Sequence, residues 1–270
     1  MSEVSVYVAD MELHGVLIFS AEQRPSLAEE GGAVISSSHF IHNYPLIYGF
    51  AQRPVESYAV IPSLHYLSYE GLKESKFTSG LARSPLHYGF IEEHIQGFLE
   101  GSGGTYVFPA FPLRVEVKKL FMAAKGTGYA EFRGALKTVF PRLVHYVAIV
   151  PPSLFRSVVV TRNVVLPETM YIRIGMKRMG VMKVKLRRAD VVGRISSVTW
   201  STIPVNLYDT EMYFKYVVED FLKVLETRSK PQGKPKASLV GYVKARNLFK
   251  VCCGSDKYEY RLPLPLKFFS

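Results

Sequence analysis

The sequence predicts a single-domain α+β protein built mainly on antiparallel sheet. Three observations carry that expectation. Apolar and polar residues alternate with period two along much of the chain, as in Leu113, Val115 and Val117 against Arg114, Glu116 and Lys118. Helical periodicity is confined to a few segments that do not alternate with the strands, which argues against a doubly wound parallel sheet. The 270 residues are 48% apolar and 21% charged, enough for a sizeable core and too apolar for disorder.

Taken in order, residues 4–19 (VSVYVADMELHGVLIF) open with a strand. Residues 20–38 hold Pro25, Gly31, Gly32 and a run of serines, and read as a loop. HFIHNYPLIYGF at 39–50 reads as a short helix behind a Ser38 N-cap, made irregular by Pro45. The Tyr-rich stretch 54–84 shows no clear period. Ser84 and Pro85 then supply an N-cap and a first-turn proline. In the helix that follows, Leu86, Phe90, Ile91, His94, Ile95, Phe98 and Leu99 share a face, and Gly101 stops it. Beyond Gly104 the period becomes two around 113–118, with further strands expected at 128–133, 143–150, 157–166, 169–174, 181–188, 195–200, 239–251 and 257–262. A helix is expected over 209–227, capped by Asp209, with Tyr213, Tyr216, Val217, Phe221, Val224 and Leu225 on its buried side. Residues 229–238 (SKPQGKPKAS) read as a basic Pro/Gly loop.

The net charge of +11 is unevenly spread. Residues 1–100 carry a net −7, residues 101–200 a net +13 and residues 201–270 a net +5. Cations concentrated in one section suggest a polyanionic partner, nucleic acid before membrane. No run approaches the roughly 18–20 apolar residues of a membrane span. The first fifteen residues lack the basic and apolar regions of a signal peptide. The only cysteines, Cys252 and Cys253, are adjacent, which fits neither a disulfide framework nor a zinc site and makes a reducing cytoplasm the expected location.

The most informative segment is 169–188 (TMYIRIGMKRMGVMKVKLRR). Its alternation places Ile172 and Ile174 on one face and Tyr171 and Arg173 on the other. On a second strand Met182, Val184 and Leu186 oppose Lys183, Lys185 and Arg187. Gly175 and Gly180 bracket a turn carrying Lys177 and Arg178. The result is a hairpin with one apolar and one cationic face, seven Lys/Arg and no acid. Cations this close repel one another unless water and salt, or a phosphate backbone, offset the repulsion. Tyr171 beside Arg173 pairs a flat ring with a charge, as single-strand binding surfaces do. His42, Asn43 and Tyr44 are a second candidate, either stacking on and hydrogen-bonding to a base or capping and packing the first helix. Lys125 precedes a Gly-Thr-Gly stretch that lets backbone approach a phosphate, although Walker spacing is absent. Arg133, with Lys118, Lys119, Lys137 and Arg142, extends the basic set.

Catalysis finds little support. The seven histidines show no HExxH or Cys/His metal spacing, no GxSxG occurs, and acids are sparse where bases gather. Neither a metal nor a cofactor is expected. Metal-free RNA cleavage through His42 or His145 remains the alternative activity.

Four stretches, FIHNYPLIYGF (40–50), YVFPAFPLRVEV (106–117), YIRIGMKRMGVMKVKL (171–186) and PVNLYDT (204–210), stand in an order and spacing that resembles the Cas-five-type (Csc-one) subunit of type I-D CRISPR effector complexes. The resemblance spans about residues 4–260. It implies a ferredoxin-like, RNA-recognition-type (RAMP) core with an inserted β-hairpin thumb. It further implies a non-catalytic subunit that binds the 5′ handle of the CRISPR guide RNA and caps the backbone filament. The implied partners are that RNA, the backbone RAMP subunit, the large subunit, and target DNA near the protospacer-adjacent motif, with guide cleavage left to a separate endonuclease. The aromatic consensus of an RNA-recognition motif is absent, so backbone and loop contacts are expected to outweigh stacking on the sheet.

Overall fold

A computed structural model describes residues 3–18, 26–27, 33–36, 39–51, 88–123, 143–175, 179–227, 238–254 and 258–269. The expectations for 54–84, Ser84-Pro85, 128–133 and the basic loop fall almost wholly outside these residues.

The organising strand is β1 (Val4–Leu13). It lies between two later strands, both antiparallel to it. One is β6 (Leu143–Arg162), whose residues 154–162 pair with residues 4–12. The other is β8 (Gly180–Ile195), whose residues 182–189 pair with residues 6–13. On the far side of β6 lie β4 (Gly104–Val107) and β5 (Phe111–Ala123), both antiparallel to it. On the far side of β8 lie β7 (Thr169–Ile174) and, further along, β13 (Leu248–Cys252), which pairs in turn with β14 (Glu259–Leu262). Two short strands, β2 (Ser26–Leu27) and β3 (Ala33–Ser36), complete the ten-stranded sheet, with β3 parallel to β6. The stretch read as a loop over 20–38 therefore contains a small β-ribbon. Its Gly- and Ser-rich composition hides strands too short to show a period.

The residues expected as two strands, 143–150 and 157–166, form one. Pro151 and Pro152 do not end it, because they fall in a bulge of β6: Val150 pairs with Glu116 and Leu154 with Arg114, leaving residues 151–153 without ladder partners on β5. Arg114 Nε donates to the Pro152 carbonyl at 2.9 Å, and the Ser153 hydroxyl accepts the Glu116 N–H at 2.9 Å. A bulge is where prolines are tolerated in a ladder, because the inserted residues make no ladder bonds.

Two helices cover one face. The first, α1 (Asn43–Phe50), is capped by His42 rather than Ser38, with the His42 ring accepting the Tyr44 N–H. Pro45 is harmless there because first-turn N–H groups have no intrahelical partner. Gly49 lets α1 approach β7 closely, since a Cβ in its place would sit 3.2 Å from the Ile172 Cβ. The second, α2 (Tyr88–Glu100), buries Ile91, Ile95, Phe98 and Leu99 and ends at Gly101, whose φ of 109° only glycine adopts readily. Its last carbonyls, Phe98 and Leu99, accept from Arg162 Nη1 at 3.2 and 2.6 Å. Beneath both helices, Met11, Leu13, Ile172, Ile174, Met182 and Val184 form the core with Leu46, Ile47 and Phe108. Each such side chain contributes about 1.5–3 kcal/mol by leaving water.

The helix expected over 209–227 is mostly strand. Helix α3 (Leu207–Met212) is capped by Asn206, not Asp209. Lys215 then adopts a left-handed φ of 61°, Val217 turns outward at 83% exposure, and β11 (Val218–Thr227) begins. β11 pairs with β12 (Ser238–Ala245) in a second sheet that includes β10 (Val205–Asn206) and β9 (Thr199–Trp200). A run rich in Val, Tyr and Phe favours a pleated surface over a helix once a partner strand is present. The strand expected over 239–251 is likewise two, β12 and β13, separated by a turn with Asn247 at φ 62°. A short 3-10 turn over Leu266–Phe268 follows β14.

Candidate nucleic-acid interface

The hairpin read from the sequence is present, formed by β7 and β8 in antiparallel register. Met170, Ile172 and Ile174 on β7, with Met182, Val184 and Leu186 on β8, are buried against the helices. Thr169, Tyr171 and Arg173 alternate with them and are exposed, Tyr171 at 59%. Pairing with β1 and β6 continues this open face in two cross-strand rows. In one, Tyr171 lies opposite Lys183, which lies opposite Glu12. In the other, Thr169 lies opposite Lys185, then Asp10, then Arg156.

The cations on this face are not equivalent. Asp10 binds two guanidinium groups, accepting from Arg156 Nε at 2.6 Å and from Arg187 Nη2 at 2.9 Å. Arg156 also donates to the Tyr260 hydroxyl at 3.0 Å. Arg187, expected among the ligand contacts, is therefore largely committed within the protein. Arg188 alternates to the other face of β8, opposite Tyr7, and reaches Glu3 at 3.4 Å, an exposed pair that adds little. Arg173, Lys183 and Lys185 make no ion pair among the described residues. A groove of about 480 Å³, lined by Tyr7, Leu166, Glu168, Thr169, Lys185, Leu186, Arg187 and Arg188, lies past the end of β7, so one carboxylate stands among its three cations. Lys177, Arg178, Lys125 and Arg133 lie outside the described residues. Lys118 and Lys119 are exposed on β5, near the opposite edge of the sheet.

Sequence reasoning missed Asp10, Glu12 and Arg156 because they join the hairpin only through strand pairing with segments far away in the chain. The available signal was local: acids at alternate positions in an otherwise apolar β1 mark an open sheet face.

The other predicted cluster sits on the opposite side of the sheet, and the structure gives it the capping and packing role. His42 is 3% exposed, and burial pulls its pKa down to about 3, so its ring is neutral near pH 7. Asn43 is fully buried and Tyr44 half-buried. Both converge on the carboxylate of Asp209, which is itself buried. Asn43 Nδ2 donates to Oδ2 at 2.7 Å, the Tyr106 hydroxyl to Oδ2 at 2.8 Å and the Tyr44 hydroxyl to Oδ1 at 2.9 Å. Asn206 Nδ2 donates to Asn43 Oδ1 at 3.2 Å. This network ties α3 and the second sheet to α1 and β4. A base cannot reach it. His145 pairs through its backbone with Val34 and Phe121. Among the described residues, no group of three or more His, Cys, Asp or Glu could hold a metal ion.

Burial raises the Asp209 pKa to about 6, against the opposing pull of its three donors. A carboxyl that holds its proton more tightly folded than unfolded stabilises the fold most when protonated. Its contribution is therefore full below about pH 4 and lost as pH rises to about 6, a loss on the order of 2–3 kcal/mol. Urea unfolding of wild type and Asp209→Asn over pH 4–7 should show this: the difference between the two proteins shifts towards the variant as pH rises. A pH-independent difference would contradict the assignment.

A family model described as type I-D CRISPR-associated protein Cas5/Csc1 matches residues 4–228. No curated protein matches the chain. Among solved structures, a chain from a cryo-EM structure of the type III-B Cmr-beta bound to cognate target RNA is 8% identical, covering 88% of this chain and 84% of that one. Its TM-score of 0.37 is too low for the likeness to bear on fold or function. Among the described residues, no helix is long and apolar enough to cross a membrane.

Proposed function

Since the chain belongs to the Cas5/Csc1 family of type I-D CRISPR-associated proteins, we propose that it is a non-catalytic subunit of a cytoplasmic effector complex and holds the 5′ handle of the guide RNA on the β7–β8 face. In that complex it caps the backbone filament and contacts the backbone and large subunits, supporting recognition of target DNA beside the protospacer-adjacent motif. The carrying observation is the set of three cations without an ion pair, Arg173, Lys183 and Lys185, arrayed with exposed Tyr171 on one strand pair. A phosphate backbone bound there releases counterions, and the ring offers a base a stacking surface.

The strand order β8-β1-β6-β4, antiparallel throughout with β1 inside, supports a ferredoxin-like, RAMP-type core. The connection from β6 to β8 departs from that plan, since among the described residues it runs through β7 and holds no helix. The β5–β6 arm is our candidate for the inserted thumb, because Leu113, Val117, Lys118 and Lys119 are exposed along it. Burial of His42 weighs against the alternative, a metal-independent endoribonuclease using that ring.

The test is recovery of the chain from its native host in EDTA. A guide-length RNA should co-purify uncleaved and dissociate steeply with added salt. An RNA-free chain, or one that cuts repeat RNA in EDTA, would overturn the reading.

A further inference from the structure

We infer that Glu12 on β1 forms an anionic border that restricts the cationic face beside Lys183 to a single polynucleotide strand and keeps a duplex off it. This rests on the RNA-binding reading above and adds which form of nucleic acid the face accepts.

The border follows from register. Lys183 and Lys185 each face a carboxylate on β1, Glu12 and Asp10 respectively, and on their other side face β7. Neighbouring strands are about 4.8 Å apart, so the β7–β8 ribbon offers a track about 10 Å wide. That suits one ribose-phosphate chain. The next strand inwards carries two carboxylates, which differ in what holds them. Asp10 is occupied by its two guanidinium groups. Glu12 is not occupied in this way: its side chain is 48% exposed and, among the described residues, makes no ion pair with Lys183 across the strands, lying instead 3.7 Å from the His14 ring.

A phosphate over Arg173, Lys183 and Lys185 meets those cations with Tyr171 and Thr169 beside them. A phosphate displaced onto β1 at Glu12 meets a carboxylate that no guanidinium neutralises. A single strand can follow the ribbon and avoid that carboxylate. An A-form duplex presents phosphates on two rails across a wide, shallow groove, so seating it on the ribbon brings one rail over β1. Like charges placed against the wrong partner confer specificity without adding affinity for the right one. The sequence count of the hairpin, seven cations and no acid, hides this because the acids arrive from another strand.

The experiment measures binding of the full chain to one labelled guide-length RNA, alone and in a perfect duplex, by fluorescence anisotropy at fixed salt. Wild type should prefer the single strand. Glu12→Lys should tighten duplex binding about tenfold and single-strand binding less than about threefold. The control is Glu211→Lys, an equal charge change on α3, beside α1 on the other side of the sheet. It should move both RNAs equally and weakly. If Glu12→Lys also moves both equally, or moves neither, the border does not exist even though RNA binds. If wild type binds neither RNA, the RNA-binding reading itself fails and the border fails with it.

Discussion

Replacing Arg173, Lys183 and Lys185 together with Glu is expected to weaken guide-RNA binding at least about a hundredfold near 0.15 M salt, with the fold intact. Each position contributes a phosphate contact worth on the order of 1 kcal/mol at this ionic strength, and reversal adds repulsion to the loss. Three lost contacts on a single strand should also reduce the slope of log K against log salt by about 2. Glu at 183 and 185 would face Glu12 and Asp10 directly across the strands, and such like-charge pairs cost stability. The triple Gln variant avoids that strain and should show the same reduction in slope with a smaller loss of affinity. Thermal unfolding and anisotropy on both variants separate misfolding from lost contact. Undiminished RNA binding by a folded Gln variant would refute this site.

Asp209→Ala is expected to be the most damaging single change in the core, destabilising by roughly 3–5 kcal/mol. Three donors, from Asn43, Tyr44 and Tyr106, would lose their acceptor at once, and at least two of these groups are fully enclosed. Each unsatisfied group costs about 1–3 kcal/mol, less the relief from no longer burying a charge. Asp209→Asn keeps the shape and one acceptor oxygen. Its amide can face the Tyr44 hydroxyl, which accepts as well as donates. The Asn variant should therefore lose about half as much as Ala in chemical denaturation. Equal losses for the two would mean that shape, not hydrogen bonding, holds α3 in place.

These two regions differ in how far the sequence discloses them. The hairpin was legible because one face is buried and the other exposed over a long run, and period two then leaves little freedom. Helix α2 was legible for the matching reason, a sustained apolar stripe ended by Gly101. The segment after α3 was not. Tyr213, Tyr216, Val217, Phe221, Val224 and Leu225 fall at helical intervals, yet β12 offers a ladder, and tertiary pairing overrides the apparent period. Asp209 was read as a cap from its position before an apolar run. Asn206, three residues earlier, has that role, and its side chain accepts the Tyr208 N–H at 3.0 Å. Freed from capping, Asp209 turns inward to groups about 100 and 165 residues away, a meeting that no local pattern encodes. His42, Asn43 and Tyr44 could be read either way because His, Asn and Tyr serve equally well in a cap, a core network or a base pocket. Burial decides between them.

The placement of β1 between β6 and β8 has a consequence during translation. β1 leaves the ribosome well before its partners: the nearest in sequence, Leu154 opposite Glu12, is made some 140 residues later. At 5–20 residues per second the nascent segment VSVYVADMEL waits on the order of 10 seconds with both edges open. An apolar strand in that position invites aggregation, and interspersed acids are a recurrent safeguard. Asp10 and Glu12 supply that safeguard at birth, before there is any cationic face for them to border.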